Sequence, residues 1–290
     1  MLYREAFPIP RRPTESSCWP QSWRDSYHYD RLEVWEERHR PDSLSAGYVL
    51  SYESRRRQTL KSILLACPPP ARVLDLASAQ GNFAIALAGL GYEVTWNDLR
   101  AELADYVRLK LPDGMDLEFA AGNIFDLGGA HLGRYDVVLA AEVIEHVAHP
   151  NDFIAKLVTL LRPGGAVVLS TPNGGYFLNR LPRFSDCPDP SVHEHAQFKP
   201  NADGHIFLIH EDELRCWARG ANLDVDRFDL ITNPLTAGHI KLRYLLRVLP
   251  QAAVRAIEAL SRALPRPLRR RLAAHAVAVL RKPWHARRSD

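Results

Sequence analysis

No stretch of the 290 residues approaches the roughly 18 consecutive apolar residues that a membrane-spanning helix needs. The first twelve residues also lack the continuous apolar run of a secretory leader, so the expected setting is the cytoplasm. Four cysteines (Cys18, Cys67, Cys187, Cys216) stand far apart with no C-x-x-C pair, which argues against a zinc ribbon or a dithiol redox site and for reduced thiols. No internal repeat is present, which excludes a solenoid. Acidic residues are scarce towards the carboxyl end: residues 241–290 hold 13 Lys and Arg against Glu258 and Asp290, or +11, so with +3 overall the remainder sums to −8. A basic tail on an acidic body is a statement about partners.

With 46% hydrophobic and 24% charged residues, the chain has the composition of a globular protein with room for one large α/β domain and smaller additions. Residues 1–45 are rich in proline and aromatics (Trp19, Trp23, Tyr27, Tyr29, Trp35) and show no periodicity until about Asp30; an irregular arm and a short helix are expected. Residues 52–66 read as a helix stopped by Pro68-Pro69-Pro70. Short apolar runs follow at 71–77, 92–98, 117–123, 135–141 and 166–172, as in strands buried on both faces. Helical patterns at 81–90, 101–111 and 152–161 lie between them. This alternation implies a doubly wound, mostly parallel sheet of the Rossmann-like α/β class, with seven strands expected. A helix at 211–219 and a strand at 223–231 follow, then three basic amphipathic helices at 239–249, 251–264 and 267–282. In the second of these, Val254, Ile257, Leu260 and Leu264 share a face opposite Arg255, Glu258 and Arg262. The expected divisions are an amino-terminal arm or lid at 1–45, a ligand-binding domain at 46–235 with an insertion at 173–208, and a basic helical extension at 236–290.

In an open parallel sheet, ligands sit beyond the carboxyl ends of the strands. The first such turn, V-L-D-L-A-S-A-Q-G-N (73–82), has small residues at Ala77, Ser78, Ala79 and Gly81 that let the backbone approach a ligand. The helix opening near Gly81 and Asn82 offers unpaired N–H groups to a carboxylate. Asp98, ending the second strand, can accept two ribose hydroxyls; Asn123, ending the third, can face a base edge with Ile124 against the ring.

Together these residues resemble the motifs of the class I S-adenosylmethionine (SAM)-dependent methyltransferases, over roughly residues 46–232. That family carries an acid at the start of the turn, matched by Asp75, and another matched by Asp98. It commonly has Asp where Asn123 stands, and the turn's first two glycines are here Ala77 and Ala79, tolerable for alanine where φ is negative. The A-E-V-I-E-H-V segment (141–147), P-G-G (163–165) and S-T-P-N (170–173) separate the chain from nicotinamide enzymes. They resemble the branch that includes ubiquinone-biosynthesis O-methyltransferases and small-RNA 3′-terminal 2′-O-methyltransferases. The resemblance implies SAM as cofactor, held by Asp75, Ala77, Ser78, Gly81, Asn82, Asp98, Asn123, Ile124 and Glu142.

Glu142, Glu145 and His146 stand at i, i+3 and i+4, so one helical turn would point all three the same way. They fit either of two roles. With His205, in D-G-H-I-F (203–207), they form a metal set for Mg²⁺, as in the RNA-modifying branch. Alternatively, Glu142 lies at the donor's amino-acid end while Glu145 and His146 shape the turn. His146 also suits a general base that takes the proton of a hydroxyl acceptor. His193, His195 and His210 are weaker candidates, His210 as the residue that begins a helix.

The aromatics of the insertion (Tyr176, Phe177, Phe184, Phe198) and the amino-terminal arm are expected to select the acceptor. The expected partner is a small-molecule or glycan acceptor; the basic helices fit first a solvated charged face over a structural add-on, and next attachment to an anionic membrane surface or a lipid-linked substrate. Sparse aromatics among the basic residues, Tyr244 and Trp284, argue against nucleic acid. The expected activity is methylation of a hydroxyl oxygen. The alternatives are a metal-dependent RNA 2′-O-methyltransferase and a methyltransferase-like binding protein without catalysis.

Overall fold

The computed structural model describes residues 9–35, 45–197 and 204–284. β1 (Arg72–Leu76), β2 (Glu93–Asp98), β3 (Glu118–Ala121), β4 (Tyr135–Ala141), β5 (Leu161–Pro172), β6 (Asp224–Ile231) and β7 (His275–Arg281) form one Rossmann-like sheet in the order β3-β2-β1-β4-β5-β7-β6. β1 to β5 pair in parallel, and β7 runs antiparallel to both β5 and β6.

Alternate residues of each strand feed two cores. Val73, Val137 and Leu139 pack with α2 (Ala46–Ala66), α3 (Asn82–Gly89) and α4 (Leu103–Lys110) on one face. Leu74, Val138 and Ala140 pack with α5 (Pro150–Leu160) and α6 (Glu211–Gly220) on the other. Each fully buried Val or Leu side chain of these strands contributes about 1.5–3 kcal/mol.

The structure overturns four expectations. First, residues 267–282 are not a helix: a short α8 (Arg266–Leu272) ends, and the chain enters the sheet as β7, with Ala276 to Leu280 all buried. A strand covered on both faces is a continuous apolar run, and its period cannot be told from that of a buried helix. The boundary drawn at 235/236 therefore does not hold, since β7 lies inside the sheet and residues 232–274 form an insertion between β6 and β7. Second, α1 spans Gln21–Glu33, beginning well before Asp30. Its buried face is Ser26, Tyr27, Asp30 and Glu33, a largely polar set that no apolar periodicity reports.

Third, α7 (Gln251–Arg262) is rotated away from its amphipathic pattern, so that only part of its apolar stripe faces inward. Val254 and Glu258 are buried, whereas Ile257 and Leu260 are 40% and 70% exposed. The inward face is held to α2 by polar contacts: Ser54 Oγ donates to Glu258 Oε1, and Arg262 Nη2 donates to Ser54 Oγ at 3.1 Å. Fourth, between β6 and α7, residues 242–247 form a 3₁₀ segment where an α-helix is expected.

α1 lies along α4. Trp19, Trp23, Tyr27 and Tyr106 meet edge-on or tilted, with ring centroids 5.4 to 5.9 Å apart. Beneath them Lys110 and Asp30, both fully buried, form an ion pair at 2.6 Å. The ammonium also donates to Gln80 O at 2.7 Å and Asn82 Oδ1 at 2.9 Å, which uses all three of its protons. Asp30 further accepts from Tyr106 Oη (2.6 Å) and Asn82 Nδ2 (2.8 Å). Of the expected lid, residues 21–33 are thus docked through a satisfied buried network that ends in the turn after β1.

Candidate active site

Because β6 runs with β1 to β5, the carboxyl ends of β1, β4, β5 and β6 and the amino end of β7 share one edge: Pro172 and Ile231 both face His275. A cavity of about 540 Å³ opens there, within the range of small-molecule sites. Its floor is the turn after β1. Ala77 and Ala79 have φ of +48° each, and Gly81, just before α3, has +71°. The alanines therefore do not satisfy the negative φ under which they were expected to be tolerable. They occupy the left-handed region at a cost of about 1 kcal/mol each. What holds them is a set of short bonds: Ser78 N–H to Asn97 O (2.9 Å), Ala79 N–H to Asp98 Oδ2 (2.9 Å) and Ser78 Oγ to Asp75 Oδ2 (2.5 Å). Ala77→Gly and Ala79→Gly are each expected to raise stability by about 1 kcal/mol in urea unfolding; a loss of stability would show that the turn is not strained.

Burial pushes the Asp75 carboxyl up to about 7; the Ser78 bond opposes this and the Asp98 charge adds to it. A carboxyl whose folded pKa is raised destabilises the fold as pH climbs from its unfolded value towards the folded one. Asp75→Asn is therefore expected to gain on wild type between about pH 4 and 7, by at most about 4 kcal/mol. Urea titrations at both ends of that window check it, and a pH-independent difference would refute the assignment.

The expected cofactor residues divide. Asp75, Ala77, Ser78, Asn82 and Glu142 border the cavity, whereas Gly81, Asp98, Asn123 and Ile124 stand outside its lining. Asp98 lies behind the turn, with Oδ1 accepting from Arg100 N and Nε at 3.0 Å each. Asn123 Oδ1 caps a 3₁₀ turn by accepting Phe125 N–H, and Ile124 is buried in the core. The amide of Asn82 is consumed by the network under α1: Nδ2 donates to Asp30 and Glu33, and Oδ1 accepts from Lys110. That leaves it structural work where a ligand contact was expected.

Glu142, Glu145 and His146 all border the cavity, but no helical turn aligns them. Glu142 has φ +56°, and only residues 144–146 form a 3₁₀ turn. The S-T-P-N segment explains the geometry. Ser170 Oγ donates to Glu142 Oε1 (2.7 Å), Thr171 Oγ1 donates to Glu145 Oε2 (3.0 Å), and Asn173 Nδ2 donates to Arg270 O and Ala273 O (2.8 Å each). Each glutamate is held by one hydroxyl of the second motif, and the asparagine anchors the β6–β7 insertion. Arg55 completes the Glu142 clasp at 2.9 Å. Burial is the largest influence and works against the Glu142 charge, but Arg55, His275, the Ser170 hydrogen bond and His205 together outweigh it and hold the carboxyl below its usual range. Glu145 is pushed well above that range by burial and by Glu142.

The expected four-membered metal set is reduced to three. Glu145, His146 and His205 bring one donor atom each within 4.8 Å of one another, while Glu142 is engaged by Arg55 and Ser170. Glu145 Oε1 is buried without a hydrogen-bond partner, so the set fits a cation. Two imidazoles and one carboxylate are not the oxygen shell that Mg²⁺ prefers, and that expectation is not supported. His146 Nδ1 lies 3.2 Å from Gly204 O. A carbonyl only accepts, so this contact selects the neutral tautomer with its proton on Nδ1 and its lone pair on Nε2.

The methyltransferase domain family matches residues 51–240. The chain belongs to that family. It is 33% identical over 161 residues to a ubiquinone biosynthesis O-methyltransferase of Xanthomonas axonopodis pv. citri, which is 55% of this chain and 65% of that relative. The chain thus matches slightly under two thirds of the length of such relatives. Among solved structures, a SAM-dependent methyltransferase from Mesorhizobium loti aligns at TM-score 0.54 and 16% identity, over 80% of this chain and 99% of that one. A 1,6-didemethyltoxoflavin N1-methyltransferase of Burkholderia thailandensis, solved with S-adenosylhomocysteine, aligns at 0.50 and 17%, over 93% and 94%. The [4+2]-cyclase SpnF aligns at 0.52 and 13%, over 79% and 82%. These three likenesses establish the fold; one fold hosts more than one chemistry.

Several cavity residues of this family member escaped sequence reasoning. Glu33, Tyr48, Tyr52 and Arg55 come from α1 and α2, outside the motif-bearing strands. Tyr48 Oη donates to Glu33 Oε1 at 2.5 Å, and burial raises the Glu33 carboxyl despite that bond. His275 was hidden in the supposed helix. Its Nδ1 lies 3.0 Å from Thr232 Oγ1, and burial, aided by Arg55, pushes its pKa down to about 3, so it enters the site neutral. Among the aromatics of 173–208, Tyr176 Oη bonds His239 Nδ1 (2.8 Å), and Phe184 packs edge-on against Phe207 and Trp217. Neither borders the cavity, and Phe198 lies outside the described residues. His193 packs on Phe207, His195 bonds Val192 O, and His210 precedes α6.

Proposed function

We propose that the chain is a SAM-dependent methyltransferase that methylates a hydroxyl of a small molecule or glycan. The observation that carries this reading is the single cavity that joins the turn Ala77–Asn82 to His146, with one imidazole nitrogen left as a base. The donor would lie along the turn, with its ribose on Asp98 once Arg100 yields. Its positive charge would draw Asp75, poised near 7, into the ionised form. In the transfer, the acceptor oxygen bonds the methyl carbon, the C–S bond breaks with its electrons going to sulfur, and the hydroxyl proton passes to His146 Nε2. S-adenosylhomocysteine and the methyl ether leave.

A second reading rests on the Glu145–His146–His205 cluster: a borderline divalent cation held there would polarise the acceptor hydroxyl. Calorimetry with SAM, followed by a screen of acceptor classes read as release of S-adenosylhomocysteine, tests the first. Absence of SAM binding at millimolar donor would leave the binding-protein reading. Turnover abolished by EDTA and by His205→Ala would favour the cation, and turnover indifferent to both would exclude it.

A further inference from the structure

The insertion between β6 and β7 buries Val254 but leaves the rest of the apolar stripe of α7 on the surface. α7 turns Glu258 and Arg262 towards α2 and leaves Ile257 and Leu260, neighbours at i and i+3, 40% and 70% exposed. The preceding segment does the same with Ile240 (58%), Tyr244 (49%), Leu245 (47%) and Val248 (76%), and Leu268 on α8 is 53% exposed. Seven of the seventeen exposed large apolar side chains among the described residues thus fall within residues 240–268. Apolar surface on this scale is uncommon on a chain that works alone in water.

The charge of the same stretch identifies the occupant. Residues 232–274 hold nine Lys and Arg against Glu258 alone. Arg262, Arg266 and Arg270 are engaged by Glu258, Glu211 and Asp212. Lys241, Arg243, Arg247 and Arg255 alternate in sequence with the exposed apolar residues. We propose that this face docks on an anionic lipid bilayer, its aliphatic side chains in the headgroup–acyl boundary and its cations on lipid phosphates and carboxylates. A two-fold contact with a second copy would press two strongly basic faces together. Nucleic acid would offer the cations phosphate but the aliphatic side chains nothing, with Tyr244 the sole aromatic in the stretch. The stretch is flanked by Thr232 and His275, and His275 borders the cavity, so docking would set the site beside the membrane.

The test is sedimentation of the full chain with vesicles of phosphatidylcholine alone, or with about 30 mol% phosphatidylserine. Binding is expected to the anionic vesicles, to weaken with salt, and to fall about tenfold or more in Val248→Asp and in Leu260→Asp. Both side chains are exposed, and unchanged thermal unfolding of the variants confirms that the fold is kept. Three results would each overturn the proposal: no partition into anionic vesicles, equal partition of the variants, or a solution dimer by light scattering that Leu260→Asp dissociates.

Discussion

Lys110→Met is expected to destabilise the protein by about 3–5 kcal/mol, because it leaves Asp30 buried with no counter-charge. The cost arises from desolvation more than from lost attraction. Asp30 has no solvent exposure and, among the described residues, keeps Tyr106 and Asn82 as side-chain donors once the ammonium is gone. Removing both partners is a different matter: Asp30→Leu combined with Lys110→Met should recover most of the loss, since a matched apolar pair carries no unpaired charge. Urea unfolding of the two single variants and the double variant measures the coupling. A single-variant loss under about 1 kcal/mol would mean that water or another cation reaches Asp30. The same variant should weaken donor binding, because the Lys110 ammonium also holds Gln80 O and Asn82 Oδ1 in the ligand turn.

His146→Ala is expected to lower kcat by about a hundredfold or more while leaving the dissociation constant for SAM within about threefold. The Gly204 carbonyl selects the tautomer with its proton on Nδ1, which leaves Nε2 as the lone-pair nitrogen at a half-buried position on the cavity wall. His146→Asn sharpens the result, since its amide can still donate to Gly204 O yet supplies no base. If asparagine restored turnover that alanine had lost, the role would be to hold the 204–207 segment in place. Single-turnover kinetics with saturating donor separates the two.

Much of the sheet was legible because strand and helix alternate with distinct periods, and buried parallel strands announce themselves as short apolar runs between glycine and proline stops. The E-x-x-E-H and S-T-P-N segments could be read as belonging together. That Ser170 and Thr171 each clasp one of the two glutamates could not, because β4 and β5 must first be paired for them to meet. Glu33, Tyr48 and Arg55 were illegible for the same reason: they reach the cavity from α1 and α2, and α1 buries a polar face.

The sequence by itself determined the fold class and the positions of the first six strands along the chain, and it supplied the candidates for a ligand-binding turn and for catalysis. These follow from local periodicity and from residue types that chemistry requires at the end of a strand. Tertiary structure decided the rest. It drew residues 275–281 into the sheet as its seventh strand, since only neighbours on both sides distinguish a buried strand from a buried helix. It set Ala77 and Ala79 in the left-handed region, which bonds from Asp98 and Asn97 impose against the preference of alanine. And it turned Ile257 and Leu260 of the α7 stripe outward while burying Val254, because α2 offers Ser54 and Gln58, and a polar surface is best met by a polar face.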